Sequence, residues 1–298
     1  PLTQSMRKFI DWIANYTISP PGLVARMALR APAAFDPEPK IPALRNTGQM
    51  PERLTDARRR VLEHSSDGMA WSKSGLAHAA GVTPSVIDGL TKQGVFETIM
   101  LPAPPVVAKP DPEYSRAELS DEQMSGADDL VEIISEEGFH SVLLDGVTGS
   151  GKTEVYFEAI AKVLERGQQV LILLPEIALT ASFLKRFEDR FGAPPGEWHS
   201  DIAPKNRERV WRQVIDGQVR VVAGARSALF LPFENLGLIV VDEEHDSSYK
   251  QEDGVLYNAR DMAVLRASLC GAKVVLASAT PSLESWANAQ AGKYTKVE

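Results

Sequence analysis

The sequence has 298 residues, of which 44% are hydrophobic and 24% charged, and its formal net charge is −8 at pH 7. These proportions are typical of a globular protein and exclude wholesale disorder. The longest apolar run, residues 170–174, is far short of the roughly 20 residues that cross a bilayer. The single cysteine, Cys270, excludes a disulfide framework and a multi-cysteine zinc site in this sequence, so we expect a soluble protein in a reducing, cytoplasmic setting.

Charge and proline are distributed unevenly. Residues 1–100 carry 12 Lys and Arg against 9 Asp and Glu, whereas residues 101–298 carry 20 against 31. Seven prolines lie within residues 20–51 and five within 102–112. Proline lacks an N–H donor and interrupts regular elements, so these clusters indicate linkers. The predicted divisions are an N-terminal piece over 1–35, a linker over 36–50, a small domain over 51–101, a linker over 102–116 and a large domain over 117–298.

The N-terminal piece has one amphipathic segment. Its apolar residues recur at helical spacing: Phe9, Ile10, Trp12, Ile13 and Tyr16. The segment is too short to bury a core by itself. We expect it to be either the tail of another domain or an arm packed on its neighbour.

The small domain has a pattern of helix, turn and helix. Leu54 to His64 and Ser74 to Ala80 are periodic, and Pro84 opens a third helical stretch after a turn at 81–83. Residues 95–100 are typical of a strand. Three helices and a short sheet predict a winged helix-turn-helix that contacts DNA. The alternative is a small helical packing module, because the third helix has only Lys92 as a cation.

The large domain alternates strands and helices. Helical stretches at 154–166 and 177–191 separate short apolar runs. Apolar strands divided by helices predict an α/β fold, with a parallel sheet covered on both faces. The predicted strands are 142–144, 170–174, 219–222, 238–241 and 274–276.

Residues 146–153 match the phosphate-binding loop pattern without departure, between a predicted strand and a predicted helix. The glycines let several backbone N–H groups point at one anion, and the helix N-terminus adds its positive dipole end. Lys152 would reach the β- and γ-phosphates, and the Thr153 hydroxyl would ligate Mg²⁺. The alternative is a plain glycine-rich turn. The predicted ATP-binding residues here are Gly146, Thr148, Gly149, Ser150, Gly151, Lys152 and Thr153.

A second motif ends the strand at 238–241, where Asp242, Glu243, Glu244 and His245 follow one another. A carboxylate at a strand end can hold Mg²⁺, and a neighbouring acid can activate the attacking water. We assign Asp242 to the metal, Glu243 to the water and His245 to sensing the γ-phosphate. The alternative is an acidic strand end or helix cap without chemistry.

Five blocks of residues carry a family resemblance. The order acid, acid, x, His resembles superfamily 2 helicases and translocases, and the details are more similar to the PriA family of replication-restart helicases (primosomal protein N′). Ala277 stands where that family more often has glycine. The blocks are 148–156, 174–180, 224–230, 242–251 and 278–281.

The resemblance implies an architecture and an activity. It implies a RecA-like P-loop NTPase lobe over 117–298, a winged-helix domain over 51–101 and, in 1–35, the remnant of an N-terminal DNA-binding domain. It implies ATP and Mg²⁺ as cofactors and 3′ to 5′ unwinding of forked and single-stranded DNA in replication restart. Single-stranded DNA-binding protein and primosome proteins are the implied partners. A second motor lobe, an arginine finger and zinc-binding cysteines are not found in these residues, so we expect a fragment with little activity of its own.

The resemblance also implies further site residues. Gln123 stands where a glutamine reads adenine, and Ser278 and Thr280 belong to the segment that couples hydrolysis to DNA movement. For Gln123 the alternative is an ordinary surface glutamine, and for Ser278 and Thr280 it is a helix cap. For the implied DNA-binding residues given next, the alternatives are ordinary strand-to-helix turns at Thr180 and at 226–227, and a packed loop at 249–260. The implied DNA-binding residues are Thr180, Arg226, Ser227, Tyr249, Lys250, Tyr257 and Arg260.

Three other functions remain open at this stage. The first is another superfamily 2 translocase, such as a repair or restriction motor. The second is a DNA- or partner-binding protein with a vestigial nucleotide site, against which the intact Lys152, Thr153, Asp242 and Glu243 argue. The third is a P-loop kinase or transferase, which does not account for the acidic strand end.

Overall fold

The computed structural model describes residues 2–31 and 40–298. The described residues form two compact units, one of residues 2–31 with 105–298 and the other of residues 40–104. Within the described ranges, no helix combines the length and apolar character needed to span a bilayer.

The larger unit begins with two helices, α1 (Gln4–Tyr16) and α2 (Pro21–Ala28). The side chain of Thr3 caps α1. Three of the five predicted apolar residues, Phe9, Ile10 and Ile13, are buried in the core of the larger unit, where the Phe9 ring lies 5.6 Å from that of Phe230. The other two, Trp12 and Tyr16, are exposed and their rings stack on each other. The segment therefore packs on the larger unit as an arm, and its origin as the remnant of an N-terminal DNA-binding domain stays a prediction.

The smaller unit contains a strand, three helices and a second strand: β1 (Lys40–Asn46), α3 (Asp56–His64), α4 (Lys73–Ala79), α5 (Pro84–Lys92) and β2 (Phe96–Pro102). Val61, Leu76, Ile87 and Leu90 form its core. The predicted helices and C-terminal strand are present. Whether the unit acts as a winged helix that binds DNA stays a prediction.

The linker predicted over 36–50 differs from the structure. All seven residues of β1 pair antiparallel with β2, and Ala43 and Leu44 are buried. The prediction treated Pro42 as a linker signal. A proline is nevertheless tolerated in an edge strand, because its missing N–H breaks no hydrogen bond of the ladder there. Residues 36–39 of that linker lie outside the described ranges.

The rest of the larger unit alternates strands and helices. Its helices are α6 (Asp121–Ser135), α7 (Lys152–Glu165), α8 (Ala181–Phe191), α9 (Pro204–Ile215), α10 (Ala259–Cys270) and α11 (Leu283–Gln290). Its main strands are β3 (His140–Asp145), β4 (Gln169–Leu173), β5 (Gly196–Trp198), β6 (Val221–Gly224), β7 (Leu236–Asp242), β10 (Lys273–Ser278) and β11 (Thr295–Val297). A small antiparallel hairpin joins β8 (Lys250–Gln251) to β9 (Tyr257–Asn258).

The main sheet is parallel throughout, in the order β11-β3-β10-β7-β4-β6-β5. One apolar cluster covers one face with α6, α7 and α8, and a second covers the other with α1, α9 and α10. All five predicted strands and the α/β fold are confirmed, with the RecA-like arrangement. The short strands β5 and β11 were not predicted, and α8 begins at Ala181 because Thr180 caps it.

This strand order brings distant motifs together. The phosphate-binding loop follows β3, the acidic motif follows β7, and Ser278 ends β10, which lies between them. In a parallel sheet all these strand ends lie along one edge, which is where α/β proteins bind ligands.

Candidate nucleotide-binding and hydrolysis site

The loop at 146–153 is shaped by glycine. Gly149 and Gly151 have φ angles of 80° and 82°, in the left-handed region that other residues enter only at a cost. Helix α7 begins directly after Gly151, and no side chain caps its first turn. The free N–H groups of that turn and the helix dipole can therefore bind an anion. The loop thus has the form of a phosphate cradle.

The Lys152 ammonium lies within this cradle. Its Nζ donates to the backbone oxygens of Gly146 at 2.7 Å and Val147 at 3.2 Å. Both acceptors belong to the loop itself, so the side chain folds back against the loop. A phosphate there would meet a positive charge as well as the helix N-terminus.

Gln123 contacts the loop directly. Its Oε1 accepts from the Ser120 N–H at 2.9 Å in a capping box at the start of α6, and its Nε2 donates to the Ser150 backbone oxygen at 2.8 Å. A cavity of about 500 Å³ lies between this helix start and the loop. That volume is typical of a small-molecule site. Lys152 and Ala279 are also part of its wall.

Asp242 lies across β10 from the loop, at the end of β7. Burial raises the pKa of its carboxyl group, and a hydrogen bond from Tyr156 and the charge of Lys152 oppose that rise. The Tyr156 hydroxyl donates to Oδ2 at 3.0 Å, and the Glu243 N–H donates to Oδ1 at 3.0 Å. The carboxylate is thus oriented from both sides.

The site could hold a magnesium nucleotide. A carboxylate and a hydroxyl, from Asp242 and Thr153, are oxygen ligands of the kind that Mg²⁺ prefers, and it takes its remaining ligands from phosphates and water. In the part of the chain that is described, no cluster of three or more His, Cys, Asp or Glu could enclose a metal by itself. The donor set therefore fits a metal that arrives with its nucleotide.

Glu243 and His245 connect the acidic motif to the end of β10. Glu243 has a φ angle of 48°, which is uncommon for a residue with a side chain and is often found at functional sites. His245 Nδ1 lies 2.7 Å from Ser278 Oγ and 3.6 Å from Glu243 Oε2. Ser278 Oγ also accepts from the Thr280 N–H at 3.0 Å. The residues predicted to couple hydrolysis to movement are therefore joined to the acidic motif.

Sequence reasoning assigned no role to Glu244, which the structure places at the centre of a buried network. The residue is 1% exposed. Its carboxylate accepts from the Ser282 N–H at 2.6 Å, the Ser282 hydroxyl at 3.0 Å and the Ser285 hydroxyl at 2.8 Å, and it pairs with Arg260 at 3.4 Å. A buried carboxylate requires such partners. The available signal in the sequence was the run of three acids at 242–244, of which the proposed chemistry used only the first two.

Three predicted DNA-binding residues are instead internal. Tyr249 is 1% exposed, and its hydroxyl donates to the backbone oxygens of Asp242 at 2.6 Å and Leu173 at 2.9 Å. Tyr257 is 5% exposed and contacts Phe230 edge to face. Arg260 is 7% exposed. Direct contact of these three with DNA is wrong for this structure, because their side chains are buried.

The remaining predicted contacts lie at the same sheet edge. Thr180 follows β4 and is exposed, and Arg226 and Ser227 follow β6 and are half-buried. Arg226 donates to the backbone oxygens of Ser248 and Lys250, each at 2.9 Å. The Lys250 side chain is exposed. DNA contact by these four residues stays a prediction.

Comparison with protein families matches the part of the chain that contains the phosphate loop and the acidic motif. The DEAD/DEAH box helicase model matches residues 128–289. The replication restart protein PriA of Rickettsia felis is 51% identical over 180 residues, which is 60% of this chain and 27% of that protein. PriA of Chlamydia pneumoniae is 38% identical over 322 aligned positions, covering 98% of this chain and 41% of that protein. The chain thus spans less than half the length of either relative.

Comparison with solved structures gives more distant likenesses. A structure of RecG bound to a three-way DNA junction has a TM-score of 0.47 and 24% identity, over 62% of this chain and 24% of that one. A helicase MrfA structure bound to DNA and AMPPNP has a TM-score of 0.43 and 19% identity, over 64% and 31% of the two chains.

Proposed function

This chain belongs to the DEAD/DEAH box helicase family, and on that premise we propose that it is the ATP-binding lobe of a DNA helicase that acts in replication restart. One observation carries the proposal. The uncapped N-terminus of α7, with Lys152 in its first turn, shares a sheet edge with the oriented carboxylate of Asp242. That pairing of anion cradle and metal acid is the arrangement of an NTPase.

The proposed roles follow from the geometry. Loop N–H groups and Lys152 would bind the phosphates, and Thr153 and Asp242 would hold Mg²⁺, which would supply positive charge against the phosphates. Gln123, already against the loop, reads the adenine. Glu243 orients a water molecule and accepts its proton. The relatives' name motivates replication restart, and hence a cytoplasmic setting beside the chromosome.

The conversion of hydrolysis into DNA movement requires more than this lobe. We propose that a second lobe closes over the nucleotide, supplies an arginine and moves along single-stranded DNA in the 3′ to 5′ direction. His245 and Ser278, which are hydrogen-bonded at 2.7 Å, would transmit the state of the γ-phosphate. Forked DNA, single-stranded DNA-binding protein and primosome proteins are the proposed partners. These residues alone would hydrolyse ATP slowly.

The test is ATP hydrolysis with and without forked DNA, by this chain and by a version extended to the length of the PriA relatives. Lys152→Ala should abolish DNA-stimulated hydrolysis. Lys162→Ala is the matched control, because it removes the same group from the same helix at a half-exposed position paired with Glu165. An extended protein that ignores DNA, or a Lys152→Ala variant with full activity, would refute the proposal.

A further inference from the structure

A groove lies between the N-terminal arm and the β8–β9 hairpin, within the larger unit. Its volume is about 660 Å³. Helix α2 and the residues after it form one wall, and the tip of the hairpin forms the other. We call it the α2 groove, and its wall includes Leu23, Arg26, Met27, Arg30, Asp253 and Val255.

The α2 groove presents two exposed cations. Arg26 and Arg30 are both exposed, and among the described residues neither makes an ion pair or a hydrogen bond. The nearby acid Glu252 lies 3.6 Å from Lys250, and Asp253 forms no ion pair within the same described ranges. A planar guanidinium offers several N–H donors in a fork that matches phosphate oxygens. Two exposed guanidinium groups in one groove therefore fit a polyanion.

Both walls of the groove are held in place. In α2, Val24 and Ala28 are buried, and the Trp211 indole N–H donates to the Ala28 backbone oxygen at 2.8 Å. Arg226 holds the start of the hairpin through its two backbone hydrogen bonds at 2.9 Å. A preformed groove loses little conformational freedom when a ligand binds, which favours affinity.

One wall of the groove, the β8–β9 hairpin, is connected to the nucleotide site through the residue that precedes it. The hairpin follows Tyr249, whose hydroxyl bonds the backbone of the metal acid Asp242 at 2.6 Å. Burial raises the pKa of Tyr257 to about 12, and the charges of Arg226 and Arg30 oppose that rise. Arg30 thus contributes to the same positive field as Arg226, one of the predicted DNA-binding residues. Gln251 in the groove wall directly follows Lys250, another of the predicted DNA-binding residues.

We propose that the α2 groove binds the phosphate backbone of single-stranded nucleic acid through Arg26 and Arg30. The inference rests on the proposed helicase function and adds a contact that no motif of the sequence suggests. Leu23, which lines the groove and is exposed, offers apolar surface to the bases. The negative charge of Asp253 repels phosphate and so lowers the affinity of the groove for nucleic acid. A nucleic acid is favoured over an acidic peptide because Gln251 in the groove wall directly follows Lys250, one of the predicted DNA contacts.

The test is fluorescence anisotropy of a labelled single-stranded oligonucleotide at several salt concentrations. Arg26→Ala/Arg30→Ala should weaken binding about tenfold and reduce the slope of log K against log salt by about 1.4, since each phosphate contact contributes about 0.7 in single strands. Arg7→Ala/Lys8→Ala, on the exposed face of α1, is the matched control for a loss of two charges and should bind like wild type.

Two further variants sharpen the result. Arg26→Lys/Arg30→Lys keeps both charges and should keep the salt slope. Asp253→Asn should tighten binding. Equal affinity and slope in wild type and Arg26→Ala/Arg30→Ala would overturn this inference alone and leave the proposed function standing. A wild-type chain that does not bind the oligonucleotide would also overturn this inference, and ATP hydrolysis by the extended protein with forked DNA would still decide the proposed function.

A labelled poly-glutamate peptide is the competing probe. If the double alanine variant loses this peptide and retains the oligonucleotide, the groove takes an acidic protein segment and the inference is wrong. Because Arg26 and Arg30 are exposed, the variants should unfold at the wild-type temperature, which a thermal melt of each checks.

Discussion

Replacing Glu244 by alanine tests the buried network of hydrogen bonds and one ion pair around the Glu244 carboxylate. The carboxylate joins β7 to the first turn of α11 through Ser282 and Ser285, and joins both to α10 through Arg260. Glu244→Ala removes all four acceptor contacts at once. It leaves the Arg260 guanidinium, whose side chain is 8% exposed, without its buried counter-charge.

The size of the effect follows from burial. Breaking a buried ion pair by removing one partner costs about 3–5 kcal/mol. Arg260 keeps a contact with Asp261 at 2.8 Å and with the Ser282 hydroxyl at 2.6 Å, so we expect the lower end, about 3 kcal/mol. That is a large part of the roughly 5–15 kcal/mol that stabilises a typical domain. Glu244→Gln keeps one acceptor and loses the charge, so its cost should fall between wild type and alanine.

Urea denaturation followed by tryptophan fluorescence measures the change, since the buried Trp211 belongs to the same unit. With an m-value of about 3 kcal/mol/M, the midpoint should fall by about 1 M. Glu284→Ala is the matched control: it lies 3.7 Å from the same arginine but is 72% exposed, and exposed pairs contribute about 0–1 kcal/mol. If Glu244→Ala loses less than about 1 kcal/mol of unfolding free energy, or if both variants lose the same amount, the Glu244 network does not stabilise the unit as we argue.

Three further predictions follow from the site. Because burial raises the pKa of Asp242 and Mg²⁺ needs the charged carboxylate, magnesium–nucleotide affinity should fall on acidification from a higher pH than an ordinary aspartate would give. Tyr156→Phe removes a hydrogen bond that lowers this pKa and should move the loss to still higher pH in calorimetric titrations; an unchanged profile contradicts the assignment. Gly151→Ala should weaken nucleotide binding by about 1–2 kcal/mol, since φ is 82° and a Cβ meets a neighbouring side chain, whereas Gly167→Ala, with open space, should leave affinity unchanged; equal effects would be evidence against the cradle. Tyr249→Phe should cost about 1–3 kcal/mol in urea denaturation, because two buried backbone oxygens lose their donor; no change would mean that water replaces it.

The local chemistry of this protein could be predicted from contiguous residues. A phosphate loop needs glycine at set positions, a lysine and a helix start, and all of these are neighbours in sequence at 146–153. The five central strands were also predicted, because a strand buried on both faces is a continuous apolar run. Strand β1 escaped prediction because Pro42 and the absence of a clear alternation hide a strand whose partner lies far along the chain.

The burial of polar and aromatic side chains could not be predicted in this way. Tyr249 and Tyr257 belong to a segment resembling a DNA-contacting loop, and both rings are internal. Their position depends on Leu173 and Phe230, which reach them only through the fold. A motif records which residues are adjacent in the chain, and it carries no information on which of them the distant segments cover.

By itself, then, the sequence determined the parallel α/β lobe, the phosphate loop at 146–153 and the acidic strand end at Asp242. Only the tertiary structure decided that Glu244 and Arg260 pair inside the protein, and that α2 lies beside the β8–β9 hairpin with Arg26 and Arg30 exposed. The reason is physical. Backbone conformation and hydrophobic periodicity are local properties, whereas the pairing of charges and the covering of a surface depend on segments that meet only after the chain has folded.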